Sequence, residues 1–211
     1  MRGVMLLSEA IAVARSELVK ATDATIPRYI RCLVWQALLQ DPGTPASRSR
    51  IARLEGACVR HVQPIWDAAH PGDPAVEQRL QLAEDLLEGR VVLPAEDPRL
   101  DLEAFIEWVT SHHGGEYDSA TAPALFVLDA AQRALITAGW AARGHGARSF
   151  LDCPEGYLDA DDDPWSTAAD HACACAVGGA PWEEPARVDL AARRRFWTWW
   201  LDVAVPRAAH P

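Results

Sequence analysis

Apolar residues recur at three- and four-residue spacing along most of the chain, and the two-residue alternation of a half-buried strand is nearly absent. This pattern predicts an all-α protein. A first helix starts at about Ser8, a suitable N-cap, and runs to about Ala21 with Ile11, Ala14 and Leu18 on one face. Pro27 opens a second helix, which Asp41-Pro42-Gly43 stops after about Gln40. In it Leu33 and Ala37 share one side, with Ile30, Val34 and Leu38 beside them. Thr44-Pro45 starts a third helix that passes Ile51, Leu54 and Cys58 and ends at about His70. Pro64 is expected to kink it, because proline lacks an amide hydrogen and crowds the preceding turn. A fourth helix follows Asp73-Pro74, carries Leu80, Leu82, Leu86 and Leu87, and closes at Gly89.

After an extended Val91-Val92-Leu93-Pro94 linker, a fifth helix covers about Asp97 to His113, with Leu102, Phe105, Ile106 and Val109 inward. Gly114-Gly115 ends it. A long Ala-rich sixth helix runs from Thr121 to about Ala142, and Gly144-His145-Gly146 breaks it. A polar loop extends from Ala147 to Asp163, a length that in a compact domain marks function or disorder. Asp163-Pro164 starts a seventh helix that ends at Gly178-Gly179. The last runs from about Val188 to Val205, where Pro206 marks its end. Short connections between about eight helices imply a compact antiparallel array, a single domain over residues 1–211 with a long acidic loop before the last two helices.

Composition narrows the class. A chain of 211 residues buries enough surface to fold without disulfides. Its five cysteines have no framework spacing and read as reduced thiols of a cytoplasmic protein. The N-terminal stretch has an apolar patch that Glu9, Arg15 and Glu17 interrupt early, so it reads as a helix and not as a signal peptide. No segment approaches the ~20 apolar residues of a membrane span. A net charge of −10 argues against nucleic acid and anionic membrane as partners and permits a basic protein.

Catalytic motifs are missing: there is no P-loop, GxGxxG, GxSxG or HExxH. His171 and Cys175 are four apart on a helix, share a face and could hold zinc together, with Cys153 as a third ligand. Cys173 points roughly 200° away from His171 around the same helix. Structural zinc takes four ligands at tighter spacings. The competing reading makes Ala168, Ala169, Ala172, Cys173, Cys175 and Ala176 a small-residue surface for close helix packing. His112-His113 fits a helix C-terminus, where a cation is favoured. In Arg193-Arg194-Arg195-Phe196-Trp197-Thr198-Trp199-Trp200-Leu201, apolar positions cover well over half the helix circumference. Such a helix is central to the core or leaves aromatic area exposed as a partner anchor.

From Ser149 through Ala186 there is no Lys or Arg, while Asp152, Glu155, Asp159, Asp161, Asp162, Asp163, Asp170, Glu183 and Glu184 fall in that window. One acid suffices as a helix cap, so the remainder needs a counter-charge or solvent. The loop lacks the glycine and distant glutamate of an EF-hand.

The C-terminal third resembles a known family. The acidic loop, Asp163-Pro164-Trp165, the small-residue helix, Gly178-Gly179, Trp182-Glu183-Glu184 and the segment from Arg195 to Pro206 resemble immunity family five. This is a helical family encoded beside bacterial polymorphic toxins. Val62-Gln63-Pro64-Ile65-Trp66-Asp67 and the segment from Ala83 to Gly89 resemble the family's middle. Cys173, Cys175 and the stretch around 110–150 depart from its pattern. The resemblance implies a non-enzymatic, cofactor-free helical protein that binds and neutralises one cognate toxin. Many such toxins are basic because they act on nucleic acid. Asp159, Asp161, Asp162, Glu183 and Glu184 are then the expected toxin contacts. The alternative is a zinc-dependent enzyme or regulator built on His171 and Cys175.

Overall fold

The computed structural model describes residues 5–39, 44–94, 96–113, 121–143, 168–179 and 187–210, and among these every regular element is helical. Helix α1 spans Leu7–Lys20, α2 Arg28–Leu39, α3 Pro45–Ala69 and α4 Ala75–Leu87. A 3₁₀ turn at Pro98–Leu100 precedes α5, Leu102–His113. Next come α6, Ala122–Ala142, α7, Ala169–Gly178, and α8, Leu190–Trp199. A π-helical turn at Trp200–Ala204 joins α8 to the short α9, Val205–Ala209.

The caps explain most boundaries. The Leu6 N–H donates to the Glu9 carboxylate at 3.0 Å, which satisfies one open donor at the start of α1. The Thr44 hydroxyl accepts from the Ser47 N–H, and Pro45 occupies the first turn of α3, where no amide donor is needed. α3 continues as helix through Pro64. The indole of Trp66 donates to the Asp73 carbonyl at 3.2 Å and closes the α3–α4 connection. Gly89, at φ 71°, ends α4. The fifth helix starts later than its pattern predicts. The Asp101 carboxylate accepts from the Glu103 and Ala104 N–H groups and caps α5, so Pro98–Leu100 forms a separate turn.

α6 is the hub. It packs on α3, α4, α5 and α7, and sixteen of its residues are buried. Alanines at 130, 131, 134 and 138 let neighbours approach its backbone closely. The main core joins α1, α2, α3 and α6 to α7 and α8 through Trp35, Trp66, Trp197 and Trp200. Trp197 and Trp200 are fully buried, Phe196 is buried, and Trp199 keeps an exposed edge. The aromatic helix is therefore mainly core. A smaller cluster of Ala52, Ala83, Leu86, Leu93, Leu135 and Ala138 fixes the extended 91–94 segment.

The C-terminal region is closed by Arg193. This buried guanidinium donates to the Gly178 and Gly179 carbonyls at the end of α7 and to the Asp23 carbonyl between α1 and α2. The glycine pair is what admits it. A Cβ on Gly178 would lie 2.6 Å from Arg193 Cβ, and Gly179 sits at φ 83°, ψ 160°, backbone that only glycine adopts readily. Arg194 extends the clamp to the Leu18 and Ala21 carbonyls.

Pro206 does not end the last helix, contrary to the pattern-based expectation. The Val205 N–H bonds back five residues to Trp200, and the π turn restarts the helix with Pro206 in the opening positions of α9.

Gly178→Ala is expected to cost about 1–3 kcal/mol, because the contacted Arg193 Cβ is too close to the backbone to swing away. Arg193→Ala is expected to cost about 3 kcal/mol by leaving three carbonyls without their donor. Thermal unfolding followed by circular dichroism checks both, at roughly 2–4 °C per kcal/mol for a chain of this size. An unchanged melting temperature in either variant would remove the clamp from the account.

Candidate functional site

The five expected toxin contacts, Asp159, Asp161, Asp162, Glu183 and Glu184, lie outside the described residues, as do Asp152, Glu155, Asp163 and Cys153. What the structure places is α7, the helix between the two acidic stretches. Its residues 169–176 are all buried. The small side chains pack α7 against α3, α6 and α8, as the small-residue reading expects.

α7 also meets a buried set of charged groups. Arg31 lies 3.7 Å from Asp170, both fully buried, and its guanidinium stacks 5.4 Å from the centre of Trp197. Arg133 donates to Asp129 at 2.7 Å within α6. Glu55 of α3 is 1% exposed, and among the described residues it forms no ion pair. Burial pushes its carboxyl up to about 8; the Thr137 hydroxyl draws it down and the Asp170 charge pushes it up further. Burial holds His171 well below its ordinary value, and Arg31, Arg193 and Arg133 press it further down.

This environment answers the zinc reading. His171 and Cys175 are both buried, and His171 sits in the field of several guanidinium groups. A divalent cation there would meet like charge and no solvent. Among the described residues no three His, Cys, Asp or Glu side chains converge as metal ligands. The second histidine candidate also has a local role. His112 Nδ1 bonds to the Trp108 carbonyl at 2.8 Å near the end of α5, and the ring stacks 5.0 Å from Trp108.

A second acidic region emerges that the sequence reading passed over. Between Asp67 and His113 lie eleven carboxylates and three arginines. Arg79 of α4 holds its guanidinium 5.1 Å and 4.7 Å from the ring centres of Phe105 and Trp108, so α4 and α5 are neighbours and their acids share one region. Several are neutralised locally. Arg60 pairs with Glu77 and Glu84, Arg90 with Asp85 and Glu88, and Arg99 with Asp97. Glu96, Glu103 and Glu107 are exposed with no ion pair among the described residues, and α5 has no lysine or arginine. The missed signal was the charge balance of a 40-residue window, hidden because each acid alone reads as a solvated helix position.

The exposed aromatic area is small. Trp199 is half-buried and stacks on exposed His61 of α3, ring centres 3.8 Å apart and planes 9° apart. Nearby, Arg15 of α1 pairs with Asp202.

The model of one known family, immunity protein Imm5, matches residues 11–207. The chain belongs to the Imm5 family. It matches no curated protein. The Imm5 match runs across every helix from α1 to α9, so the family is a property of the whole helical array and not of its last third alone. Within that frame, the glycine pair and the Arg-Phe-Trp helix are the clamp and core described above. They build the protein and leave partner recognition to other residues. Among the described residues no helix is long and apolar enough to cross a membrane.

Two measurements check these assignments. Trp197→Ala is expected to cost about 3–5 kcal/mol, whereas Trp199→Ala, which loses mainly one ring stack, is expected to cost about 1 kcal/mol. Equal losses would mean that the exposed edge is not exposed. Dialysis of the purified protein against zinc is expected to leave no stoichiometric metal. One tightly held zinc per chain, lost on Cys175→Ser, would restore the metal reading.

Proposed function

We propose that this Imm5 protein is a non-enzymatic immunity protein that binds and neutralises one cognate polymorphic toxin in the bacterial cytoplasm. The family match over residues 11–207 carries this reading. The binding mode we infer is stoichiometric capture by an acidic surface on a single domain covering residues 1–211. Asp159, Asp161, Asp162, Glu183 and Glu184 are the proposed contacts. The charge distribution supports a basic partner. The net charge is −10, residues 149–186 lack any Lys or Arg, and Glu96, Glu103 and Glu107 add exposed carboxylates on the α4–α5 side. Opposite charges steer encounter and raise the association rate at low salt. A toxin that acts on nucleic acid needs a basic surface, and acidic cover would compete for it.

The decisive experiment is co-expression with each toxin-like domain encoded beside this gene, scored by survival. The expected result is one domain that kills alone and is tolerated with this protein. Persistent killing despite good expression would end the assignment. Reversal of Asp159, Asp161 and Asp162 to lysine is expected to slow association by about tenfold or more at low salt, with a smaller effect at high salt. Reversal of Glu103 and Glu107 measures the α4–α5 contribution in the same assay. If neither set changes the rate, the partner is not captured through acidic surface.

A further inference from the structure

Helix α7 owes its place to a buried acid with no counter-ion of its own. Glu55 enters the junction of α3, α6 and α7 from α3. The groups around it are all accounted for. From α6 come Thr137, Arg133 and Asp129, and Arg133 is already bonded to Asp129 at 2.7 Å. From α7 come the Ala169 N–H, Asp170, His171 and Cys173, and Asp170 lies against Arg31 of α2. Cys58 is its neighbour one turn along α3. Arg193 of α8 is committed to the carbonyls at the far end of α7. Two carboxyls, Glu55 and Asp170, thus face one another's charge with one guanidinium, Arg31, paired to Asp170.

We propose that Glu55 and His171 form a pair of opposed proton-operated clasps on α7. The helix stays docked only while Glu55 keeps its proton and His171 does without one. This device is independent of any partner. It bears on the proposed function because α7 lies between the two acidic stretches assigned to toxin contact.

The chemistry of opening follows from burial. When α7 lifts off, both groups return to water. The Glu55 O–H bond breaks and its proton passes to solvent, because in water a glutamate ionises near 4.3. His171 accepts a proton from solvent below about 6.5. In the docked state Glu55 holds its proton up to about 8, and His171 is neutral far below 6.5. Between about 4.5 and 6.5 one proton leaves and one is taken up, so opening does not depend on pH. Above about 6.5 His171 is neutral in both states and only the Glu55 proton is released. Opening then becomes about tenfold easier per pH unit until about 8, where Glu55 ionises in place and the dependence ends. The thiols do not interfere, because burial pushes Cys58 and Cys173 well above their ordinary range.

The test is amide hydrogen exchange of α7 in the full chain from pH 5 to 9, corrected for intrinsic exchange. The α7 opening constant is expected to be flat to about 6.5, to rise about 30-fold by pH 8, and to level off. Glu55→Gln is expected to abolish that rise and to uncover the histidine arm, with opening favoured as pH falls below 6.5. A flat wild-type profile from 6.5 to 8, or the same rise in Glu55→Gln, overturns the proposal. Direct carbon NMR titration of the Glu55 carboxyl in the wild-type protein serves if the variant does not fold. A midpoint near 8 supports the clasp and one below 6 overturns it. Failure of toxin neutralisation would leave these exchange results unaffected.

Discussion

The donation of Arg193 to the end of α7 is the interaction on which the rest of the fold turns. Helix C-termini leave carbonyls without donors, and a buried end needs them supplied. Here the end of α7 is buried, so solvent cannot do it. A guanidinium has five donors in a fixed fork, enough to serve Gly178, Gly179 and the Asp23 carbonyl together. That single group ties α8 to α7 and to the α1–α2 connection. It explains why the chain needs two glycines in a row: one to admit the side chain and one to turn the backbone where other residues strain. The tryptophans that follow can be buried only because α8 is held in this register.

Helical periodicity made most of the array legible. α1, α2, α3, α4 and α6 fall within a residue or two of their expected bounds, because strong caps such as Thr44 and Gly89 coincide with changes in apolar spacing. Two ends were misread for a common reason. Asp101 outcompetes Asp97 as a cap only because its carboxylate reaches two amides of α5. Pro206 is tolerated only because a π turn precedes it. Both outcomes depend on hydrogen bonds that spacing does not encode. The buried ionic set was equally opaque. Glu55, Arg31 and Arg133 look like polar-face residues until α3, α2 and α6 converge on them.

The candidate surface divides differently. The acidic window at 149–186 was plain from composition, and its proposed contacts fall outside the described residues. The α4–α5 acids were invisible singly and became one region once Arg79 was found between Phe105 and Trp108. That cation–π contact matters for more than packing. It inserts a positive charge beneath an acidic surface, which offsets the mutual repulsion of the carboxylates above it. The protein can thus keep Glu96, Glu103 and Glu107 unpaired and exposed.

These two regions imply a division of labour. Residues that mark the family are buried in the clamp and the aromatic core, where a change costs stability whatever the partner. Residues available to a partner are exposed carboxylates, where a change costs little stability and alters the electrostatic field. A scaffold built this way can exchange one partner for another by redistributing surface charge while Arg193, the glycine pair and the tryptophans stay fixed. Specificity then rests on where the unpaired acids lie relative to one another, since like-charge juxtaposition penalises a wrong partner more sharply than attraction rewards a right one.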